Sequence, residues 1–262
     1  MPSPRLPSAA FVMSCLIAGW GLVYVGRVKW ALRVAAVLYG GLILAGVLGW
    51  LASPKGLYGL LAFIVLVKLT SAIAAAVLCR RTDAATTLPS LGCHLLYVAA
   101  LSVITLVLLY PLRSPVLGYQ LYHIPSGSMV PTLEIDDYIV TNTRYSQPKV
   151  GDIVVYRFNA TEATKRIAAV AGDTLQIANG ELIVNGQNLG LFFAPADRVR
   201  KDYSLDLAPL KVESGHVYLL GDNRDGSNDS RFMGQVALAD LTGKVTGIWF
   251  SKDTAKIGRT FE

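Results

Sequence analysis

The chain has 262 residues, of which 53% are hydrophobic and only 16% charged, too apolar for an ordinary soluble domain and indicative of a membrane protein with a soluble portion. Residues 1–111 carry eight Lys/Arg and one acid, Asp83, for a net charge of +7, whereas residues 112–262 carry 16 basic and 17 acidic side chains, a net of −1. The basic excess therefore belongs to the apolar half, where it reports loop topology and not a nucleic-acid surface.

Four apolar stretches occupy that half, roughly Ala9 to Val25, Ala31 to Leu51, Gly56 to Cys79 and Leu91 to Leu112. A helix needs about 20 apolar residues to cross the hydrocarbon core, and the last three stretches have that length. The first is short and contains Gly19, Gly21 and Gly26, but Trp20 and Tyr24 suit an interface and no small-residue cleavage pattern precedes Gly26. It is counted as a span, so residues 1–112 are expected to hold about four transmembrane helices.

Arg27, Lys29 and Arg33 lie between the first and second stretches, and Arg80 and Arg81 between the third and fourth, against Lys55 alone between the second and third. The positive-inside rule puts the two richer loops in the cytoplasm and residues 113–262 on the far side. Lys68, in the middle of the third stretch, is the costly residue of this half, and with Thr70 and Ser71 beside it the better reading is structural, either a hydrogen bond inside the bundle or a shifted helix whose ammonium snorkels. Cys15, Cys79 and Cys93 all lie in or at the ends of the apolar stretches, so the far-side half has no disulfide framework. Val12-Met-Ser-Cys15 is a poor lipidation box, because the apolar run ahead of it is short and broken by Pro7.

Beyond residue 112 the pattern is of short strands: Asp137 to Thr141, Asp152 to Phe158, Thr174 to Ile177, Glu181 to Val184 and His216 to Leu220 are rich in β-branched and aromatic residues. Asn179-Gly180 is a strong hairpin signal, since a two-residue type I′ turn needs positive φ at both positions, and Asn185-Gly186 ends the next strand the same way. About 150 residues so organised suffice for one all-β domain with a real core. Residues 189–212, with Pro195 and Pro209, read as a less regular excursion or lid.

The chemistry lies in three blocks. The first, His123-Ile-Pro-Ser-Gly-Ser-Met-Val-Pro-Thr-Leu133, runs from strand-like residues into a glycine-punctuated turn with two serines. A serine hydroxyl needs a base, and the imidazoles available are poorly placed: His94 is in an apolar stretch, His123 precedes Ser128 on the same strand, and His216 has no evident acid partner. A lysine can serve if burial lowers its pKa. Lys165, in the second block Lys165-Arg-Ile-Ala-Ala-Val170, has an apolar setting, although on spacing alone a surface lysine on an edge strand is the better reading. The third block, Gly221-Asp-Asn-Arg-Asp-Gly-Ser-Asn-Asp-Ser-Arg231, has the oxygen ligands of a calcium loop, but it lacks a terminal bidentate Glu and carries two arginines.

Taken together, in this order, the three blocks resemble the bacterial type I signal peptidases, membrane-bound serine peptidases that work by a Ser/Lys dyad. The resemblance covers residues 120–250 and reverses the preference at Lys165, because the family's catalytic lysine stands in such a Lys-Arg pair ahead of a Gly-Asp, here Gly172-Asp173. It implies a mainly β catalytic domain at 113–262 joined to the transmembrane region 1–112, with Ser128 as nucleophile and Lys165 as general base. It further implies that Ser126 donates its hydroxyl to the oxyanion beside the Ser128 N–H, and that Ser227 orients the lysine. Asp229 and Arg231 become a supporting ion pair, and Asp222, Asn223, Arg224 and Asp225 a run that shapes the site. In that family an extended peptide adds to the strand before the nucleophile and to the lysine strand, with small pockets that select Ala-x-Ala. His123, Ile124, Pro125, Met129, Leu133, Ile139 and Thr164 are the candidates for the lining.

The sequence departs from the family pattern locally. Ala163-Thr164 stands where bulkier side chains are usual, Ala169-Val-Ala171 replaces Gly-x-Pro, and Gly226 replaces a frequent Asn. The first departure bears on pocket width and leaves the dyad untouched. A four-span membrane half is also more than the one or two anchors of familiar members. The reading is a multi-pass enzyme of the cytoplasmic membrane, its catalytic domain on the periplasmic side, cleaving signal-peptide-bearing preproteins beside the lipid bilayer and the export machinery, with no cofactor, metal or nucleic acid. Its rivals are a specialised pilin or conjugation processing peptidase with the same dyad, and an inactive membrane scaffold that kept the fold.

Overall fold

The computed structural model describes residues 6–81, 89–159 and 161–261. The chain divides into two units, Met1–Leu51 with Lys55–Gly118, and Ala52–Pro54 with Tyr119–Glu262. Asp83 lies outside the described residues.

The first unit is helical: α1 (Pro7–Leu16), α2 (Trp20–Tyr24), α3 (Val28–Val47), α4 (Pro54–Arg81) and α5 (Leu91–Leu109). Among the described residues three helices, α3, α4 and α5, are long and apolar enough to cross a membrane, not the expected four. The stretch Ala9 to Val25 fails because it folds back on itself. A helix of 10 residues is about 15 Å long, half the hydrocarbon thickness. After α1 the chain breaks, with Ile17 extended and Gly19 in the left-handed region at φ 79°. Gly21 then brings α2 against α1 so closely that a Cβ there would meet the Ala10 carbonyl oxygen at 1.9 Å. Backbone groups exposed by such a break need partners in an apolar setting. Tyr97 Oη donates to Ala18 O at 2.8 Å, Gly21 N donates to Ser14 Oγ at 3.0 Å, and Lys68 Nζ donates to Leu16 O at 3.1 Å. Lys68 thus holds the C-terminal end of α1 by a hydrogen bond inside the bundle, the first of its two structural readings.

The second unit is mainly β. Its larger sheet contains β1 (Tyr119–His123), β2 (Tyr138–Asn142), β3 (Ile153–Phe158) and β4 (Thr161–Val170). A four-stranded sheet follows, built from β5 (Thr174–Ala178), β6 (Glu181–Val184), β7 (Gln187–Asn188) and β8 (Leu207–Lys211), before β9 (His216–Leu220), β10 (Val236–Ala237) and β11 (Leu241–Phe250) return to the larger one. The larger sheet runs β1-β2-β11-β3-β4-β9-β10 and the smaller β7-β6-β5-β8. Both hairpin signals hold: Asn179 and Gly180 have φ of 51° and 83°, Asn185 and Gly186 of 52° and 81°. The region 189–212 is more regular than expected, because β8 within it pairs with β5.

Two apolar clusters cover the faces of the larger sheet near the site. One gathers Ile124, Met129, Leu133, Ile139, Ile153, Val155, Val245 and Ile248. The other is built on Val154, Tyr156, Ile167, Val217, Leu219 and Val236. A third, with Leu175, Ile177, Leu182 and Val212, packs the smaller sheet against Ala168, Ala169, Tyr218 and Leu220 of β4 and β9. Clusters of this kind fix strand positions to core precision, which sites carried by strands inherit.

Candidate active site

β4 is not an edge strand. It pairs with β3 over Thr161 to Arg166, from Ile153↔Arg166 to Phe158↔Thr161, and with β9 from Arg166↔Leu220 to Val170↔Val217. β9 stops where Gly221 leaves the sheet, so the half of β4 from Thr161 to Lys165 has β3 on one side and no strand on the other among the described residues. Lys165 stands at the inner end of this open edge. Its residue is only 5% exposed, which overturns the surface-lysine reading that spacing alone favours.

The Lys165 ammonium meets Ser128. The chain leaves β1 through Ile124 and Pro125 and makes one 3-10 turn, Gly127–Met129, that carries Ser128 at 8% exposure. The Lys165 Nζ lies 2.9 Å from Ser128 Oγ and donates to the Thr164 carbonyl at 3.1 Å. Burial pushes Lys165 below the ordinary lysine pKa of 10.5, against the opposing pull of the Asp229 and Asp222 carboxylates. Ser126 Oγ is 3.3 Å from Ser128 Oγ, on the exposed side of the turn.

The third block grips this turn from behind. Asn223 donates from its side-chain Nδ2 to Gly127 O at 3.0 Å and from its backbone N to Ser128 O at 3.1 Å. In a trans peptide the C=O and the following N–H point opposite ways. Holding the Gly127 carbonyl toward Asn223 therefore turns the Ser128 N–H away from it. Gly221 permits the approach: a Cβ there would meet Ser227 Oγ at 2.2 Å and Ser128 O at 2.6 Å.

The charged residues of the block are engaged with one another and with backbone, an arrangement unlike a calcium loop. Asp229 pairs with Arg231 at 2.8 Å, both buried, and its other oxygen accepts from Gly221 N at 2.9 Å. Asp225 accepts from the backbone N–H groups of Arg200 and Lys201. Arg224 is fully buried and donates to Gly221 O and Phe192 O. Burial, with Arg231 nearby, pushes its guanidinium down to about 10, still charged at neutral pH. Asp222 takes Arg166 in a two-pronged pair, Nε at 2.8 Å and Nη2 at 2.7 Å, and accepts the Thr132 hydroxyl at 2.5 Å.

Some expectations are met differently. The hydrogen bond expected from Ser227 to the lysine is not formed: Ser227 is buried, yet its Oγ has no partner among the described residues, because it lies against the Gly221 backbone. Of the candidate lining residues, Ile124, Met129, Leu133 and Ile139 are all in the core beneath the turn, 4% exposed or less. Thr164 is half-buried on the open edge and Pro125 is exposed. His123 is turned to Asp136, 2.8 Å away, and its ring lies tilted against Tyr138, centroids 5.0 Å apart. The Arg166–Asp222 pair escaped sequence reasoning. Its signal was an arginine inside an apolar strand, a placement that demands a buried acid.

Residues 95–250 match the family described as signal peptidase, peptidase S26, an interval that takes in Ser128, Lys165 and Ser227. The chain is 32% identical over 143 residues to signal peptidase I of Leptolyngbya laminosa, covering 48% of this chain and 67% of that protein. It is 27% identical over 188 residues to signal peptidase I of Pseudomonas fluorescens, covering 52% and 66%. The match therefore spans about two thirds of each relative's length. A crystal structure of a signal peptidase I from Enterococcus faecalis V583 aligns with TM-score 0.35 at 29% identity, over 38% of this chain and 98% of that one.

Proposed function

The chain belongs to the signal peptidase, peptidase S26 family, and from that premise we propose that it is a multi-pass membrane serine endopeptidase that removes signal peptides from exported preproteins. Ser128 is the nucleophile and Lys165 the general base. The observation that carries this reading is the 2.9 Å separation of Lys165 Nζ and Ser128 Oγ, both buried.

Burial makes the chemistry feasible. A neutral amine can accept the Ser128 proton, and an ordinary lysine is almost entirely protonated at neutral pH. As the proton moves to Nζ, Oγ attacks the scissile carbonyl carbon and the carbonyl oxygen takes up the negative charge. The Ser128 N–H and the Ser126 hydroxyl donate to that oxygen, and donors of this kind are worth about 3–4 kcal/mol each in other enzymes. The Lys165 ammonium returns its proton to the leaving amine as the C–N bond breaks, leaving an ester on Ser128. Lys165 then takes a proton from water, whose oxygen attacks the ester, and Ser128 is restored. Asp222 to Asp225, Asp229 and Arg231 act as positioning residues: they hold the turn and the lysine strand at one spacing.

The open edge Thr161 to Lys165 and the segment leaving β1 leave room for an extended peptide strand between them, the geometry of β-addition. Ile124, Met129, Leu133 and Ile139 pack beneath the Ser128 turn and hold it in place beside that edge. With three spans, Arg27, Lys29, Arg33, Arg80 and Arg81 fall on the cytoplasmic side and residues past Tyr119 on the periplasmic side, the same orientation as with four, because the folded-back first stretch returns to the side it entered. The preprotein, the lipid bilayer and the export machinery are the partners of this reading.

A library of precursor peptides varied at the first and third positions before the cut tests it. Ala at both should be processed, Phe at the nearer position should stop cleavage almost completely, and Ala163-Thr164 should let the farther position accept Val or Leu. Indifference to size at both positions would remove the signal-peptidase assignment.

A further inference from the structure

The open edge of β4 has a dead end. A peptide strand added beside Thr161 to Lys165 lies in line with β9, whose Leu220 already occupies the place opposite Arg166. With the reacting carbonyl at Ser128, beside Lys165, the residues beyond the cut cannot continue in the sheet. They must turn out of it at the corner where Gly221 and Asp222 leave β9.

That corner carries an unusual aromatic side chain. Phe193 lies over the Arg166 guanidinium, 3.7 Å from Cζ to ring centroid, and Arg166 is the partner of Asp222. One face of the ring is thus fixed, while the residue is 57% exposed. Phe192 and Phe193 have φ of 46° and 64°, a left-handed conformation that bulky residues rarely adopt. The fully buried Arg224 holds them there through Leu191 O at 3.2 Å and Phe192 O at 2.9 Å. Arg224 follows Asn223, the residue that grips the Ser128 turn, so the loop and the nucleophile are fastened to one block. Strained backbone held in this manner is a mark of a side chain that must be presented.

Resting on the peptidase reading above, we infer that Phe193 forms the subsite for the first residues after the scissile bond and selects apolar or aromatic side chains on the leaving-group side. The ring offers a preformed flat apolar face, held by the guanidinium beneath it, on which such a side chain stacks at little ordering cost.

The test uses purified full-length wild type and Phe193→Ala with peptides identical up to the cut and carrying Phe, Leu or Gly at the two positions after it. The wild type should prefer Phe and Leu over Gly by about tenfold in kcat/KM, the range that one apolar contact supplies. In Phe193→Ala the ratio of the Phe and Leu peptides to the Gly peptide should fall toward one, and Phe193→Tyr should restore the preference. An unchanged ratio in Phe193→Ala, an equal loss on all peptides, or a wild type without preference overturns the subsite. A wild type that cuts none of the peptides refutes the peptidase reading itself.

Discussion

Lys165 Nζ and Ser128 Oγ lie 2.9 Å apart although 37 residues separate them in the chain. One is carried by the inner end of an open strand edge, the other by a single turn held at its carbonyls by Asn223. In the proposed mechanism the two groups act as a unit. Ser128→Ala and Lys165→Ala should each lower kcat by on the order of 10⁴ or more, and the double variant should lose no more than either single one. Single-turnover cleavage assays on detergent-purified protein measure it, and additive losses would mean that the two groups act separately.

The acid limb of the pH profile should follow Lys165. Burial depresses its pKa in the folded protein, so the neutral amine and kcat/KM increase together as pH rises through that depressed value, below 10.5. Lys165→Arg should be inactive at every pH, since guanidinium does not deprotonate in the working range. Stability carries the same sign. Between the folded and unfolded pKa values the unfolded chain binds the extra proton, so stability due to this group falls as pH falls. Lys165→Met should therefore gain in Tm relative to wild type as the pH is lowered from that unfolded value. Activity lost in His123→Ala and retained in Lys165→Ala would assign the base to imidazole.

The Arg166–Asp222 pair should matter to folding more than to chemistry. Both side chains are at most 5% exposed, and removing one partner of a buried pair costs about 3–5 kcal/mol because the other charge is left uncompensated. Asp222→Ala should lower Tm markedly, and Arg166→Met with Asp222→Leu should recover much of the loss. Denaturation of the solubilised protein followed by near-ultraviolet circular dichroism reads both.

Orientation is open to direct labelling. Cysteines introduced at Lys29 or Arg80 should be shielded from impermeant reagents in intact spheroplasts, whereas cysteines at exposed positions such as Glu162 or Lys252 should react. Labelling of position 80 from outside would reverse the topology.

Much of this was legible in the sequence, for physical reasons that also mark where legibility ends. Asn-Gly pairs announced two hairpins because few residues adopt positive φ, and the β-branched and aromatic content of Ile153–Phe158 and His216–Leu220 announced two central strands. Apolarity alone does not separate a span from a stretch that folds back at Gly19, so Ala9 to Val25 was misjudged. β11 was not recognised because Gly243, Lys244 and Gly247 interrupt its pattern: Gly243 is there for a close backbone approach, its Cβ position lying 2.8 Å from Asn142 O. Residue spacing alone pointed Lys165 to the surface, since neither its burial nor the ion pair next to it is a local property. Phe193 gave no signal at all, since its seat over Arg166 joins a loop to a distant strand.

The most direct measurement is to incubate the purified protein with a secretory precursor bearing an Ala-x-Ala site and to sequence the new N-terminus. Wild type should yield a single N-terminus immediately after the second Ala, and Ser128→Ala, folded and membrane-inserted, should leave the precursor whole. A product that begins elsewhere, or cleavage that persists in Ser128→Ala, would contradict the account.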